Sequence, residues 1–294
     1  MSVIVPPIKC QGIKTKLIDF IRKSVQCDPN QRWVEPFLGS GAVVFNMQPK
    51  KALLCDNHPA LIQFYKDLKA DILTPVIVRE YLEHCGSKLS TGGESYFYAR
   101  RKAFNQTPTS LDLLFLNRSC FNGLIRYNKS GEFNTPFCQN PNKFSKTYID
   151  KIVNLVTQAQ QLVQTNDWEF KVNPWQETFK ELQPDDYMYL DPPYMGRNAT
   201  YFTQWVQDDM SELTNALKRT QNAWAMSMWV SYGERMNPYM DEWVGWPVKT
   251  EEHYYRVGSH VEYRSEVSEG LILNRPKNGS GTLLNLTSIP MLSF

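Results

Sequence analysis

Histidine is rare in this chain, with four residues, and the six cysteines at positions 10, 27, 55, 85, 120 and 138 contain no C-x-x-C pair. That scatter argues against a structural zinc site and for reduced thiols in a cytosolic protein. No run reaches the ~20 apolar residues that a membrane-spanning helix needs, and the first seven residues have neither the basic start nor the apolar stretch of a secretion signal. The expected location is the cytoplasm, with no membrane partner. Net charge is nearly absent too: +2 over 294 residues does not by itself imply a polyanionic partner, so any nucleic-acid surface must come from clustered basic residues. With 42% hydrophobic and 21% charged residues nothing argues for disorder, and the length suits one large domain or one domain with a sizeable insertion.

What is present centres on Leu190-Asp191-Pro192-Pro193-Tyr194, preceded by Tyr187-Met188-Tyr189. A short aromatic-rich run that stops at two prolines reads as a buried strand ending on a rigid loop, because both rings fix φ and Pro193 cannot donate a ladder bond. Asp191 then sits at the carboxyl end of a strand, where open α/β sheets bind ligands. Its carboxylate and the carbonyl of Pro192 make two adjacent acceptors, and Tyr194 adds a π face. Such a set suits a planar exocyclic amino group like that of adenine, whose two N–H bonds need acceptors and whose ring needs a stacking partner. For the tetrapeptide alone, a solvent-exposed turn is the plainer reading.

Taken in order, the chain supplies a sheet around this loop. Gly12 between Lys9 and Lys14 precedes Leu17, Ile18 and Ile21 at helical spacing, which reads either as an anion site at a helix start or as a capped surface helix. Trp33-Val34-Glu35-Pro36-Phe37-Leu38-Gly39-Ser40-Gly41 followed by Ala42 to Met47 reads as strand, glycine loop and helix, the first unit of a nucleotide-binding sheet. Val44 stands where the third glycine of G-x-G-x-x-G belongs, which counts against a dinucleotide and favours a smaller adenosyl ligand. A second strand, Ala52 to Cys55, ends at Asp56, placed either to accept from ribose hydroxyls or to cap the helix from Pro59 to Lys69, with Asn57 able to share the two tasks. Residues 71 to 117 read as helical with a break at Gly92-Gly93, an inserted subdomain. A helix from Tyr148 to Val163, a strand Glu169 to Val172 and Asn173-Pro174-Trp175-Gln176 lead into the central strand; Trp175 is either core or a partner for an adenine ring. Arg197, Tyr201 and Phe202 follow in a loop able to close over a substrate. A helix from Asp208 to Leu217 precedes the closing strands 223–230, 253–257 and 270–273.

Between the insertion and the third strand the character changes. Asn122-Gly123 and Ser130-Gly131 mark turns around short β-prone runs, a hairpin-like loop. From Arg118 to Lys146 there are five basic residues against one acid, Glu132, with five aromatics interleaved. Arg and Asn for phosphates and base edges, with an aromatic or leucine able to wedge into a base stack, is the composition of a DNA-contacting element; a solvated basic hairpin is the alternative.

Together the Phe37-Leu38-Gly39-Ser40-Gly41 loop, the Asn117-Arg118-Ser119-Cys120-Phe121-Asn122-Gly123-Leu124 signature and the Asp191-Pro192-Pro193-Tyr194 loop, in that order, resemble the Dam-type (class alpha, D12) N6-adenine DNA methyltransferases. The resemblance runs from Pro6 to Asn274 and is closest to the EcoRV-type modification enzymes, which modify the first adenine of GATATC. It implies an α/β, Rossmann-like methyltransferase sheet in two parts, 1–66 and 148–294, with a helical target-recognition insertion at 67–147 carrying a β-hairpin at 117–137. It implies S-adenosylmethionine as cofactor, held by Lys14, Pro36, Phe37, Gly39, Gly41, Asp56, Trp175, Gln176 and Asp191, and no metal. Double-stranded DNA is the implied partner, contacted by Arg118, Phe121, Asn122, Leu124, Arg126 and Lys129, with a cognate restriction endonuclease as a functional counterpart. Two positions depart from the pattern: Cys10 where many relatives have Trp, and Gly12-Ile13 in place of Gly-Gly.

The chemistry also follows from the residues. Adenine in a duplex hides its amino nitrogen, so it must be flipped into a pocket around Tyr194, while Phe121 or Leu124 fills the gap. Asp191 and the Pro192 carbonyl, with Pro193 stiffening the loop, then accept both N–H bonds and aim the lone pair at a methyl donor. Cytosine N4, an RNA base or a protein glutamine amide would fit the same acceptors; Asp before Pro-Pro and the basic hairpin favour adenine in DNA. A DNA-binding protein using the adenosyl site as a sensor is a different class, disfavoured by the intact D-P-P-Y. A nicotinamide oxidoreductase is disfavoured by the missing glycine.

Overall fold

Short apolar runs between turn formers become the strands of one mixed sheet, and the amphipathic segments between them become its helices. The computed structural model describes residues 2–194, 205–254 and 266–274. The strands are β1 (Trp33–Glu35), β2 (Lys51–Asp56), β3 (Asp167–Val172), β4 (Tyr187–Leu190), β5 (Ala223–Tyr232), β6 (Arg235–Met236), β7 (Val248–Tyr254) and β8 (Glu266–Leu273). They lie in the order β3-β2-β1-β4-β5-β8-β7, with β6 paired to the end of β5. The first five are parallel, with Val34 beside both Leu53 and Met188; β8 runs antiparallel to β5, and β7 antiparallel to β8.

Strand order reverses between β1 and β4, because the chain winds outward to β3 on one side and to β5 on the other. That reversal opens a crevice beyond the carboxyl ends of β1 and β4, the place where doubly wound sheets bind ligands. Both strands are buried throughout, as parallel strands covered on two faces must be.

Alternation along the strands sends side chains to two cores. Trp33, Leu54, Phe170 and Tyr189 face one core, shared with α1 (Ile18–Ser24), α2 (Ala42–Met47), α3 (Pro59–Lys69) and α6 (Lys146–Thr165). Val34, Leu53, Met188 and Met226 face the other, where α7 (Trp175–Lys180) contributes Trp175 and α8 (Gln207–Arg219) contributes Met210, Leu213 and Leu217.

The segment between α3 and α6 forms α4 (Pro75–Gln106) and α5 (Ser110–Ser119). Gly93, at φ 51° and ψ −135°, breaks α4 where the glycine pair foretold. Val78, Leu82, Phe97, Phe104, Leu113 and Phe115 join the first core, so these helices share their packing with the sheet.

Four expectations need correction. Asn117, Arg118 and Ser119 are the last turn of α5 and not hairpin strand. Beyond them the chain makes a 3₁₀ turn at Phe121–Gly123, and antiparallel pairing is limited to the isolated bridges Cys120 with Phe137 and Tyr127 with Phe133. The ladder stops there because side chains take the backbone groups: Asn105 both accepts from Phe133 N–H and donates to its carbonyl, and Arg101 donates to Thr135 O. Neither Asp56 nor Asn57 caps α3; His58 does, its Nδ1 accepting from Leu61 N–H at 3.1 Å. The closing strand expected at 253–257 is met only by the end of β7, which begins at Val248 and runs to Tyr254; residues 255–257 lie outside the described residues. Arg197, Tyr201 and Phe202 lie outside the described residues. All six cysteines are free. Among the described residues no helix is long and apolar enough to cross a membrane.

Candidate active site

The loop after β1 is shaped by two glycines at positive φ, Gly39 at 50° and Gly41 at 72°. Asp56, at the end of β2, holds this loop down: its carboxylate accepts from Gly39 N–H at 2.8 Å and from His58 N–H at 2.9 Å. Leu38 N–H adds a bond to Cys55 O at 2.8 Å, and Tyr65 Oη donates to Ser40 O at 2.6 Å. Burial pushes the Asp56 carboxyl above its usual range and holds His58 down to about 4, so the imidazole is neutral near pH 7.

Above the loop is a cavity of about 310 Å³, within the size range of small-molecule sites. Pro36, Phe37 and Gly39 enter from the β1 loop and Asp56 from β2. Trp175 and Gln176 enter from the start of α7, Lys14 from the turn before α1, and Asp191 and Pro193 from β4. Gly41 does not line it but starts α2, at the left-handed position a side chain would strain. Trp175 is buried against Phe179, as a core residue would be, and also forms a wall of the cavity. Trp205, edge-on to Phe37 at 5.6 Å, closes one side and carried no sequence signal.

A chain of charged and aromatic groups crosses the β4 end. Lys14 Nζ is 2.8 Å from Asp191 Oδ1, donates to Gly12 O at 3.0 Å, and lies 4.7 Å from the centroid of the Tyr194 ring. The side chain of Lys14 is only 4% exposed, so this is a held ammonium and not a solvated surface lysine. Burial raises the Asp191 carboxyl and the Lys14 ammonium pulls it back down, leaving it above the ordinary range. On the far side, Tyr194 Oη donates to Glu269 Oε2 at 2.5 Å. Glu35, at the end of β1, accepts from Trp33 Nε1 at 2.8 Å, and burial pushes it up to about 8, so it carries a proton near pH 7.

Glu35 and Glu269 were missed by motif reading. A partial signal was available: Glu35 closes an otherwise apolar strand and Glu269 adjoins the run Gly270-Leu271-Ile272-Leu273, and an acid buried there is costly unless used.

The hairpin residues divide. Phe121 is 52% exposed, a large apolar ring in water beside Asn122, which is held at φ 54°. Leu124 is half-buried, and Lys129 stands exposed at the tip. Arg126 is half-buried and tied to Asn134, through Oδ1 at 2.7 Å and the main-chain O at 3.0 Å. Arg118 is a correction. It is buried, with its guanidinium donating to the carbonyls of Pro6 and Pro7, and so clamps the N-terminal segment to α5 away from the surface. Asn117 does the same for Lys9, bonding its N–H and its carbonyl at 2.9 Å each. The hairpin reaches the cavity through Ile125, while Tyr127 packs edge-on to His58 at 5.0 Å.

The model of the D12 class N6 adenine-specific DNA methyltransferases matches residues 11–258. A DNA adenine methylase of Haemophilus influenzae is 33% identical over 216 residues, 69% of this chain and 69% of its own length. The retron Ec67 DNA adenine methylase of Escherichia coli is 32% identical over 219 residues, covering 72% and 71%. The modification methylase StsI of Streptococcus sanguinis is 27% identical over 95% of this chain, which spans 44% of that longer relative. The chain belongs to the D12 class of N6 adenine-specific DNA methyltransferases.

Proposed function

We propose that the protein transfers a methyl group from S-adenosylmethionine to N6 of an adenine flipped out of double-stranded DNA, in GATATC or a GATC-like site. The observation that carries this reading is the position of the Lys14 ammonium, a nitrogen donor bonded to the Asp191 carboxylate and lying over the Tyr194 ring. Those two partners are what an adenine amino group needs, and a cavity of nucleoside size opens beside them.

The donor set fits the cofactor. Asp56 offers carboxylate lone pairs for ribose hydroxyls, Phe37 and Trp175 offer apolar walls, and Gly39 lets the backbone come close. Lys14, Pro36, Gln176 and Asp191 complete the group of residues that would hold it, with Gly41 shaping the loop. When bound, the cofactor supplies an electrophilic methyl on a sulfonium, whose bonding pair returns to sulfur on transfer.

The chain's own residues do the rest. Asp191 and the Pro192 carbonyl accept the two N–H bonds of N6 and pyramidalise the nitrogen. Pro193 fixes the loop, and Tyr194 stacks on the ring. The proton released from N6 has Asp191 as its nearest acceptor. Segment 67–147 serves as the target-recognition element: Phe121 or Leu124 fills the vacated stack, and Asn122, Arg126 and Lys129 contact the duplex. A restriction endonuclease cutting the same site would be the functional counterpart of such an enzyme.

Tritium transfer from labelled S-adenosylmethionine to short duplexes bearing GATATC, GATC or scrambled sites tests the reading. Transfer to one adenine-containing site, abolished by Asp191→Ala, is expected. No transfer to any duplex, with cofactor still bound, overturns it and turns attention to RNA or protein amides.

A further inference from the structure

Glu269 takes no part in the chemistry just described, yet the sheet is locally irregular beside it. It sits in β8 between Val267 and Leu271, both fully buried on the same sheet face, and is itself 2% exposed. A strand needing only packing there would carry valine or leucine, since a buried carboxylate is costly unless partnered. Opposite it the ladder is irregular: Trp229 pairs with Glu269 and Ser231 with Ser268, so Val230 bulges from β5. Asn237 fixes the bulge, its Nδ2 donating to Trp229 O at 2.7 Å and its N–H to Val230 O at 2.9 Å. Gly270 makes room, because a Cβ there would stand 2.8 Å from Val230 Cγ2. Bulges beside active sites re-aim side chains. This one directs the Glu269 carboxylate at the Tyr194 hydroxyl, 2.5 Å away.

We propose that Glu269 is a positioning residue for methyl transfer, acting through Tyr194: as a charged acceptor it fixes the ring that stacks on adenine and enriches that ring in electrons. The inference rests on the reading of Asp191 to Tyr194 as the amine pocket. As the N6 lone pair bonds the methyl carbon, the carbon–sulfur bond breaks with its pair going to sulfur. Nitrogen then carries the positive charge until its proton leaves to Asp191. An electron-rich ring face attracts such a cation, as it already attracts the Lys14 ammonium.

Single-turnover methyl transfer at saturating DNA and cofactor tests this in a double-mutant cycle. Glu269→Gln keeps an acceptor oxygen but loses the charge, and its rate is expected to fall about tenfold, the scale of a charged hydrogen bond, with KM for DNA nearly unchanged. Tyr194→Phe is expected to fall comparably, and Glu269→Gln to add nothing in that background. A wild-type rate in Glu269→Gln, or losses that multiply in the double variant, overturns the proposal. Should Glu269→Gln not fold, Tyr194→Phe decides: a wild-type rate there leaves Glu269 nothing to act through. A wild-type enzyme silent on every duplex instead refutes the underlying reaction and is read separately.

Discussion

The pocket at β4 and the hairpin beyond α5 handle the same problem, polar and apolar groups in the wrong medium, in opposite ways. In the pocket, charges are taken out of water: Lys14 is held on Asp191, and the Tyr194 hydroxyl on Glu269. At the hairpin an apolar ring, Phe121, is left in water with Lys129 exposed farther along. A buried charge is stable only when its partner is fixed, so the pocket is preorganised before substrate arrives. An exposed phenylalanine gains its burial only when something covers it. On the proposed reading, the chemistry belongs to the finished structure, and recognition to a surface that DNA would complete.

The comparison breaks most sharply at Asp191. Asp191→Asn keeps the size and one acceptor but removes the charge, and methyl transfer is expected to fall by about 10³-fold, the scale of losing an electrostatic stabiliser. Cofactor affinity measured by titration calorimetry should fall far less. Equal loss of both would make Asp191 a cofactor ligand alone.

Lys14 comes next. The ammonium favours the charged carboxylate, so Lys14→Met should raise the Asp191 pKa further. On the proposed reading activity needs the carboxylate, which is lost as pH falls through its folded pKa. The acid limb of the kcat profile should therefore move to higher pH, with the loss of rate larger on the acid side than at pH 8. An unmoved limb would remove Lys14 from the control of Asp191.

Phe121→Ala tests the exposed partner in the comparison. If Phe121 is the wedge, 2-aminopurine at the target position should brighten less on binding, and kcat/KM for DNA should fall about tenfold. Thermal stability should stay within about 0.5 kcal/mol of wild type, as for an exposed side chain. A large stability loss would mean that Phe121 is structural.

Much of this was legible in the sequence where proline and glycine mark the backbone. Pro192-Pro193, Gly39, Gly41 and Gly93 each announce a loop or a break, and the apolar runs before them announce strands. Partners brought in from distant elements were not legible. Glu269 meets Tyr194 only because β8 lies beside β5, and Arg118 is buried only because Pro6 and Pro7 return to α5. Spacing reports neighbours on one element, and a basic stretch does not reveal which of its members face inward. Arg118 therefore read as one more DNA contact until the fold placed it.

That last distinction yields the finest test, because the two basic residues differ in burial. Lys129 is exposed, so Lys129→Ala should leave the melting temperature alone. If it meets a phosphate, the slope of log K against log salt should fall by about one unit, equally for cognate and scrambled duplexes. Arg118→Ala should do the reverse. Losing its bonds to Pro6 and Pro7 frees the N-terminal segment and leaves buried carbonyls unpaired, a cost of about 1–3 kcal/mol, with the salt slope unchanged. If Arg118→Ala lowered the slope and left stability untouched, the buried clamp would be a DNA contact after all, and the division between a finished pocket and an unfinished surface would fail at its boundary.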